Sequence, residues 1–187
     1  MKILLTLFVL LFSSSVVAED ISDFQIEGMS IGDSALDFFS KKQIKNNTWD
    51  YPNEKFMRVQ NDQLPFFKTY DAVDFHYRTE DPNYIIQNVS GVIFYEDNFD
   101  QCNNKMDAIV KELSILFDNS KQSEKSFNKL MNDKSGKSKY SEVYFELNDG
   151  YVLVTCYDYS LDYGGQDHLD VAIDTSEFNE WLTYEAY

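Results

Sequence analysis

Apolar and polar positions alternate with a two-residue period in five stretches of the chain and recur with a helical period in one longer stretch. Residues 70–79 put Val73, Phe75 and Tyr77 on one side and Asp74, His76 and Arg78 on the other, as a strand with one buried face requires. Glu80-Asp81-Pro82-Asn83 reads as a turn, after which residues 84–95 return as a second strand, with Gly91 as the position of a bulge. Residues 140–147 and 151–159 flank Asn148-Asp149-Gly150, a tight-turn signal that predicts a hairpin. Leu169, Val171 and Ile173 alternate with Asp170 and Asp174 in a last strand, and residues 56–60 are a shorter strand candidate. Within 97–117, Cys102, Met106, Ile109, Leu113 and Leu116 fall at alternating spacings of four and three, one stripe of a helix that Val110 and Phe117 thicken.

Three further helices are predicted from caps and apolar spacing. One runs from an Asp33 or Ser34 cap to about Ile44, a short one lies around 125–131, and a final one follows Asp174. In the last, Glu177 holds the capping-box position while Phe178, Trp181 and Leu182 form the apolar face. The order of elements predicts an α+β fold: a single antiparallel sheet of about five strands, a central helix packed on one face, and N- and C-terminal helices. No repeat beyond the hairpins and no linker divides residues 19–187, so they are read as one domain.

The first eighteen residues are read as an export signal. Lys2 supplies a short positive start, residues 3–12 are apolar, and Val16-Val17-Ala18 offers small residues for cleavage after Ala18. Ten apolar residues fall short of the ~30 Å hydrocarbon core of a bilayer. The expected destination is the periplasm or the exterior, with no transmembrane segment once the signal is removed. In such an oxidising compartment two cysteines predict one disulfide, Cys102–Cys156. Cys102 lies on the helix stripe, and Cys156 shares a strand face with Val152 and Val154, so packing the helix on that face brings the sulfurs together.

Charge narrows the partners. The chain has 187 residues, 32 acidic against 16 basic side chains and a net charge of −16, which argues against nucleic acid and anionic lipid. Only Arg58 and Arg78 are arginines, so bidentate anion clamps are scarce. Lys121, Lys125, Lys129, Lys134, Lys137 and Lys139 crowd into one segment, a basic loop suited to an acidic partner or to the protein's own acidic surface.

Catalytic motifs are incomplete. Gly32-Asp33-Ser34 resembles the nucleophile segment of SGNH-type esterases, yet the late Asp-x-x-His is missing: Asp167 and His168 are adjacent. Gly136-Lys137-Ser138 resembles the end of a P-loop, but Met131 stands where its first glycine belongs. The acidic loop offers Asp158, Ser160, Asp162 and Asp167 as oxygen ligands, a Ca²⁺ candidate whose spacing departs from the EF-hand because Gly comes one place late and Leu169 replaces the bidentate Glu. A solvated acidic turn is the competing reading. His76 and His168 are too far apart for a zinc signature, and His76 is expected at the surface.

Ile26-Glu27-Gly28-Met29-Ser30-Ile31-Gly32-Asp33-Ser34, the Cys102 helix, the loop 133–138 and the Cys156 strand together resemble a group of small exported proteins of marine bacteria, a likeness that implies export and no activity. The Gly28-Met29-Ser30 opening is also similar to the start of small outer-membrane assembly lipoproteins, whose lipid-bearing Cys is missing here. The expectation is therefore a non-enzymatic, disulfide-stapled envelope domain without cofactor that binds a protein or small ligand. Ca²⁺ binding, or hydrolysis at an unrecognised site, is the alternative.

Overall fold

The computed structural model describes residues 20–187 apart from 63, 97 and 132; residues 1–18, read above as an export signal, lie outside the described residues. Alternation produces strands where it was regular. The strands are β1 (Thr48–Trp49), β2 (Phe56–Asp62), β3 (Ala72–Arg78), β4 (Ile86–Phe94), β5 (Lys121–Gln122), β6 (Ser126–Lys129), β7 (Lys139–Leu147), β8 (Gly150–Asp158) and β9 (His168–Thr175). All pairs are antiparallel, in the order β1-β2-β3-β4-β9-β8-β7-β5, with β6 also on β7. The described residues thus form a nine-stranded sheet, not one of about five strands. The additional strands are β1, β5 and β6, of two to four residues, which need only backbone pairing at a sheet edge and leave no alternating signature. The segment expected as a short helix around 125–131 is β6, paired with β7 from Ser126↔Glu142 to Lys129↔Lys139.

Helices are α1 (Lys41–Asn46), α2 (Phe99–Leu116) and α3 (Ser176–Tyr184). The predicted helix from Ser34 to Ile44 is split. Ser34 caps only a 3-10 turn at Ala35–Asp37, and α1 starts afresh at Ser40 with a complete capping box to Gln43. Thr175, not Asp174, caps α3 by accepting from Phe178 N.

Each face of the sheet carries a core. On one face α2 buries Cys102, Met106 and Leu113 against Val152, Val154 and Cys156 of β8 and Leu169 and Val171 of β9. The 21–44 segment covers the neighbouring part with Ile26, Met29 and Phe39. The disulfide joins Cys102 to Cys156, their Cα atoms 5.9 Å apart, and so ties α2 to the middle of the sheet. On the opposite face α3 places Phe178 and Trp181, both fully buried, on Phe56. Burying each such ring contributes about 2–3 kcal/mol.

Two local features anchor the frame. Glu27, at φ 51°, turns its carboxylate onto three successive amides: Lys68, Thr69 and Tyr70 donate to its Oε1, at 2.6–3.1 Å. Gly91 marks no bulge; the register shift lies between His76 and Tyr77, opposite Gln87. Gly91 is required instead by Tyr70, whose ring atoms would stand 2.5 Å from an added Cβ.

Candidate functional site

Register assigns the side chains of the α3 face, because directly paired residues point the same way. Trp49 pairs with Arg58, which is followed on this face by Gln60 and Asp62. Across from them stand Asp74 and His76 of β3, then Asn88 and Ser90 of β4, then Asp170, Ala172 and Asp174 of β9. Nine of these positions are polar or charged on strands otherwise built for a core, and Asp74, His76, Asn88, Ser90 and Asp174 are buried. His76, expected at the surface, is only 6 % exposed because α3 and Tyr51 lie over it: its ring is 4.5 Å from that of Phe178.

Burial obliges these groups to pair. Asn88 Nδ2 donates to Asp174 Oδ1 at 2.5 Å, so Asn88 Oδ1 faces His76 Nδ1 at 2.7 Å and that nitrogen carries the proton. His76 Nε2 then accepts from the Tyr51 hydroxyl at 2.9 Å. Burial pushes the His76 imidazole down to about 3, so it is neutral at physiological pH. Asp174 also accepts from Asn179 Nδ2 of α3 at 3.2 Å, and burial raises it to about 6. The chain Tyr51–His76–Asn88–Asp174–Asn179 is thus a closed polar seam between sheet and helix.

The neighbouring carboxylates are less satisfied. Arg58 donates from both Nε and Nη2 to the same oxygen of Asp74, Oδ2, leaving Oδ1 shielded and without a hydrogen-bond partner. Asp170 Oδ1 is also shielded and without such a partner, although the residue as a whole is half-buried. Burial, with the negative charges of Asp74 and Asp174, raises Asp170 to about 8, so it holds a proton at neutral pH. Burial raises Asp74 too, while the Arg58 guanidinium pulls it back. The face therefore keeps a protonated and an Arg-paired carboxyl close together, the difference of environment that separates acid from base roles.

Two features border this polar patch. Tyr157, Tyr159 and Tyr163 stack in sequence, with centroids 5.6 and 5.4 Å apart, and His168 lies 4.8 Å from Tyr157. At the β1–β2 end a cavity of about 340 Å³ opens, lined by Asn46, Asn47, Thr48, Trp49, Gln60 and Asp62. Gln60 pairs directly with Asp74, so the cavity continues the polar face at its open edge.

The residues singled out in the sequence are placed as follows. Ser34 donates its hydroxyl to Asn83 O at 2.7 Å and accepts from Leu36 N, a cap contact without a base. Asp158 pairs with Lys139 at 3.2 Å and Asp162 with Lys137 at 3.1 Å. Ser160 donates to Asp133 at 3.0 Å, and Asp167 accepts from Tyr159 N at 2.7 Å. Among the described residues no three His, Cys, Asp or Glu side chains converge as a metal site would. The basic segment meets the protein's own acids: besides Lys137 and Lys139, Lys121 pairs with Glu146 and Lys125 with Asp107, while Lys129 and Lys134 are exposed. Asp133, not singled out from sequence, is the knot of this region. It accepts from the amides and hydroxyls of Ser135 and Ser138, and these bonds hold its carboxyl well below the usual range. Its signal was Asp followed by Ser at the second and fifth positions, a local Asx pattern.

No family model matches the chain, and neither does any curated protein or solved structure. No described helix is long and apolar enough to cross a membrane.

Proposed function

We propose that this protein is an exported, disulfide-stapled binding domain whose site for a small ligand is the cavity at the β1–β2 edge of the polar sheet face. The observation that carries this reading is the continuity of the cavity with a buried polar surface: Gln60 lines the cavity and is the direct partner of Asp74. A cavity of about 340 Å³ lies at the small end of the roughly 300–1,000 Å³ usual for ligand sites. Export is supported by the N-terminal signal pattern and is compatible with the disulfide.

A thermal-shift screen of the disulfide-intact chain 19–187 against soluble small molecules tests the reading. A stabilising compound should lose its effect in the Gln60→Ala variant. Stabilisation that survives every substitution lining the cavity would place the site elsewhere.

A further inference from the structure

We infer that the cavity at the β1–β2 edge is a site for a neutral saccharide. The inference rests on the binding role proposed above and names its ligand class. The cavity combines one aromatic platform with short-range polar groups. Trp49 is 64 % exposed and lines the cavity, while the other tryptophan, Trp181, is fully buried. Leaving an indole in water is unfavourable in a chain that buries its other tryptophan completely, and a flat apolar face beside polar groups suits a ring with both C–H and O–H faces.

The polar groups are of the matching kind. Asn46 and Gln60 carry planar amides that donate and accept together, and Asp62 is an exposed carboxylate that accepts only. Vicinal hydroxyls are donors and acceptors at fixed separation, and such a set can meet both roles. Asn47 and Thr48 shape the wall rather than bind: Asn47 Nδ2 donates to Asn61 Oδ1 at 2.8 Å, and Thr48 Oγ1 donates to Ile44 O at 2.7 Å.

Charge selects within the class. Asp62 stands in the cavity as a carboxylate, Asp74 on the strand beside Gln60 is balanced by its ion pair with Arg58, and the chain carries −16 overall. Uronate or sulfated sugars are repelled by this field, so the ligand is neutral. A metal ion is a poor occupant, since Asp62 is the one carboxylate among the residues that line the cavity and no imidazole joins it.

The two tryptophans make the test direct. Because Trp181 is sealed in the core, any ligand-induced change in emission reports Trp49. The disulfide-intact chain is titrated with maltose, cellobiose and N,N′-diacetylchitobiose, with galacturonate as the anionic control. The expected result is a saturable blue shift with at least one neutral disaccharide and none with galacturonate. Trp49→Ala abolishes binding followed by calorimetry, Trp49→Phe retains part of it, and Asp62→Ala weakens it roughly tenfold through loss of a hydrogen bond to a charged acceptor. Trp49 and Asp62 are exposed, so these variants keep the fold. Absence of a saturable shift with all three disaccharides, or binding unchanged in Trp49→Ala, overturns the inference. If a non-saccharide found by thermal shift moves Trp49 emission while the sugars do not, the saccharide class falls and the cavity reading stands. A ligand that binds without touching Trp49 or Gln60 removes both.

Discussion

Arg58 on β2 directs two guanidinium nitrogens to one oxygen of Asp74 on β3 and leaves the other carboxylate oxygen of Asp74 shielded and unpaired. Arg58 thus serves a polar face on which Asp74, Asp170 and Asp174 are gathered, and the remaining charge is carried by hydrogen bonds and by a proton on Asp170.

That proton makes stability depend on pH in a defined direction. Asp170 rises to about 8 in the folded chain from an ordinary value of 3.8, so the native state binds a proton that the unfolded state has released. Its contribution is complete at low pH and is lost as pH rises through about 8. Below pH 6.5 the two histidines act in the opposite sense, since burial lowers His76 to about 3 and His168 to about 4 and the unfolded state then takes up their protons. Between pH 6.5 and 8 the histidines no longer oppose it, and stability should fall with rising pH by on the order of 1 kcal/mol, with Asp74 and Asp174, also raised by burial, acting in the same sense. Urea denaturation at both pH values measures it. Asp170→Asn should flatten this slope, and a slope unchanged in the variant would contradict the assignment.

The disulfide joins positions 54 apart in sequence, and closing a loop of that length in the unfolded chain is worth about 4 kcal/mol in the chain-entropy description. Cys156→Ser, or reduction of the wild type, should lower unfolding free energy by about that amount, to be read from denaturant midpoints with and without reductant. Equal midpoints would show that α2 is held by packing alone.

Gly91→Ala places a Cβ against the Tyr70 ring, 2.5 Å from its nearest atoms. The substitution should destabilise by about 1–3 kcal/mol. Because the cause is one neighbour, the double variant with Tyr70→Ala should show strong coupling in a mutant cycle. Additive effects would mean that the backbone, not the ring, sets the requirement.

Asp133→Ala removes the acceptor that gathers Ser135, Ser138 and Ser160, and so unties the basic segment from the acidic loop. Leaving the buried Ser138 hydroxyl and amide without their acceptor should cost about 1–3 kcal/mol. Hydrogen exchange should quicken in 133–138 and 158–163 while the core of β8 stays protected. Uniform acceleration would indicate global loss instead.

The sequence made the long strands and α2 legible because each has one face in an apolar core, and the period of the pattern is the geometry of that face. The Cys102–Cys156 pairing followed from the same faces. Lys121–Gln122 and Ser126–Lys129 escaped, since an edge strand of polar residues needs only the free backbone groups of β7. The break between Ala35–Asp37 and α1 was hidden because Ser34 and Ser40 are both competent caps. The polar face was misread for a different reason. Asp74 and His76 alternate with apolar residues as solvent-facing positions do, and only the return of α3 and Tyr51, distant in sequence, buries them. A cavity assembled from Asn46 to Trp49 and from Gln60 and Asp62 depends on the β1–β2 pairing, and β1 is two residues long.

The central claim is that ligands enter at the β1–β2 edge of the polar face, and amide chemical-shift mapping of the labelled chain 19–187 tests it most directly. With any ligand that stabilises the protein, the account predicts perturbations concentrated in residues 46–62 and passing across the sheet to Asp74. Perturbations centred on α2, or on the 158–167 loop with 46–62 unmoved, would contradict it.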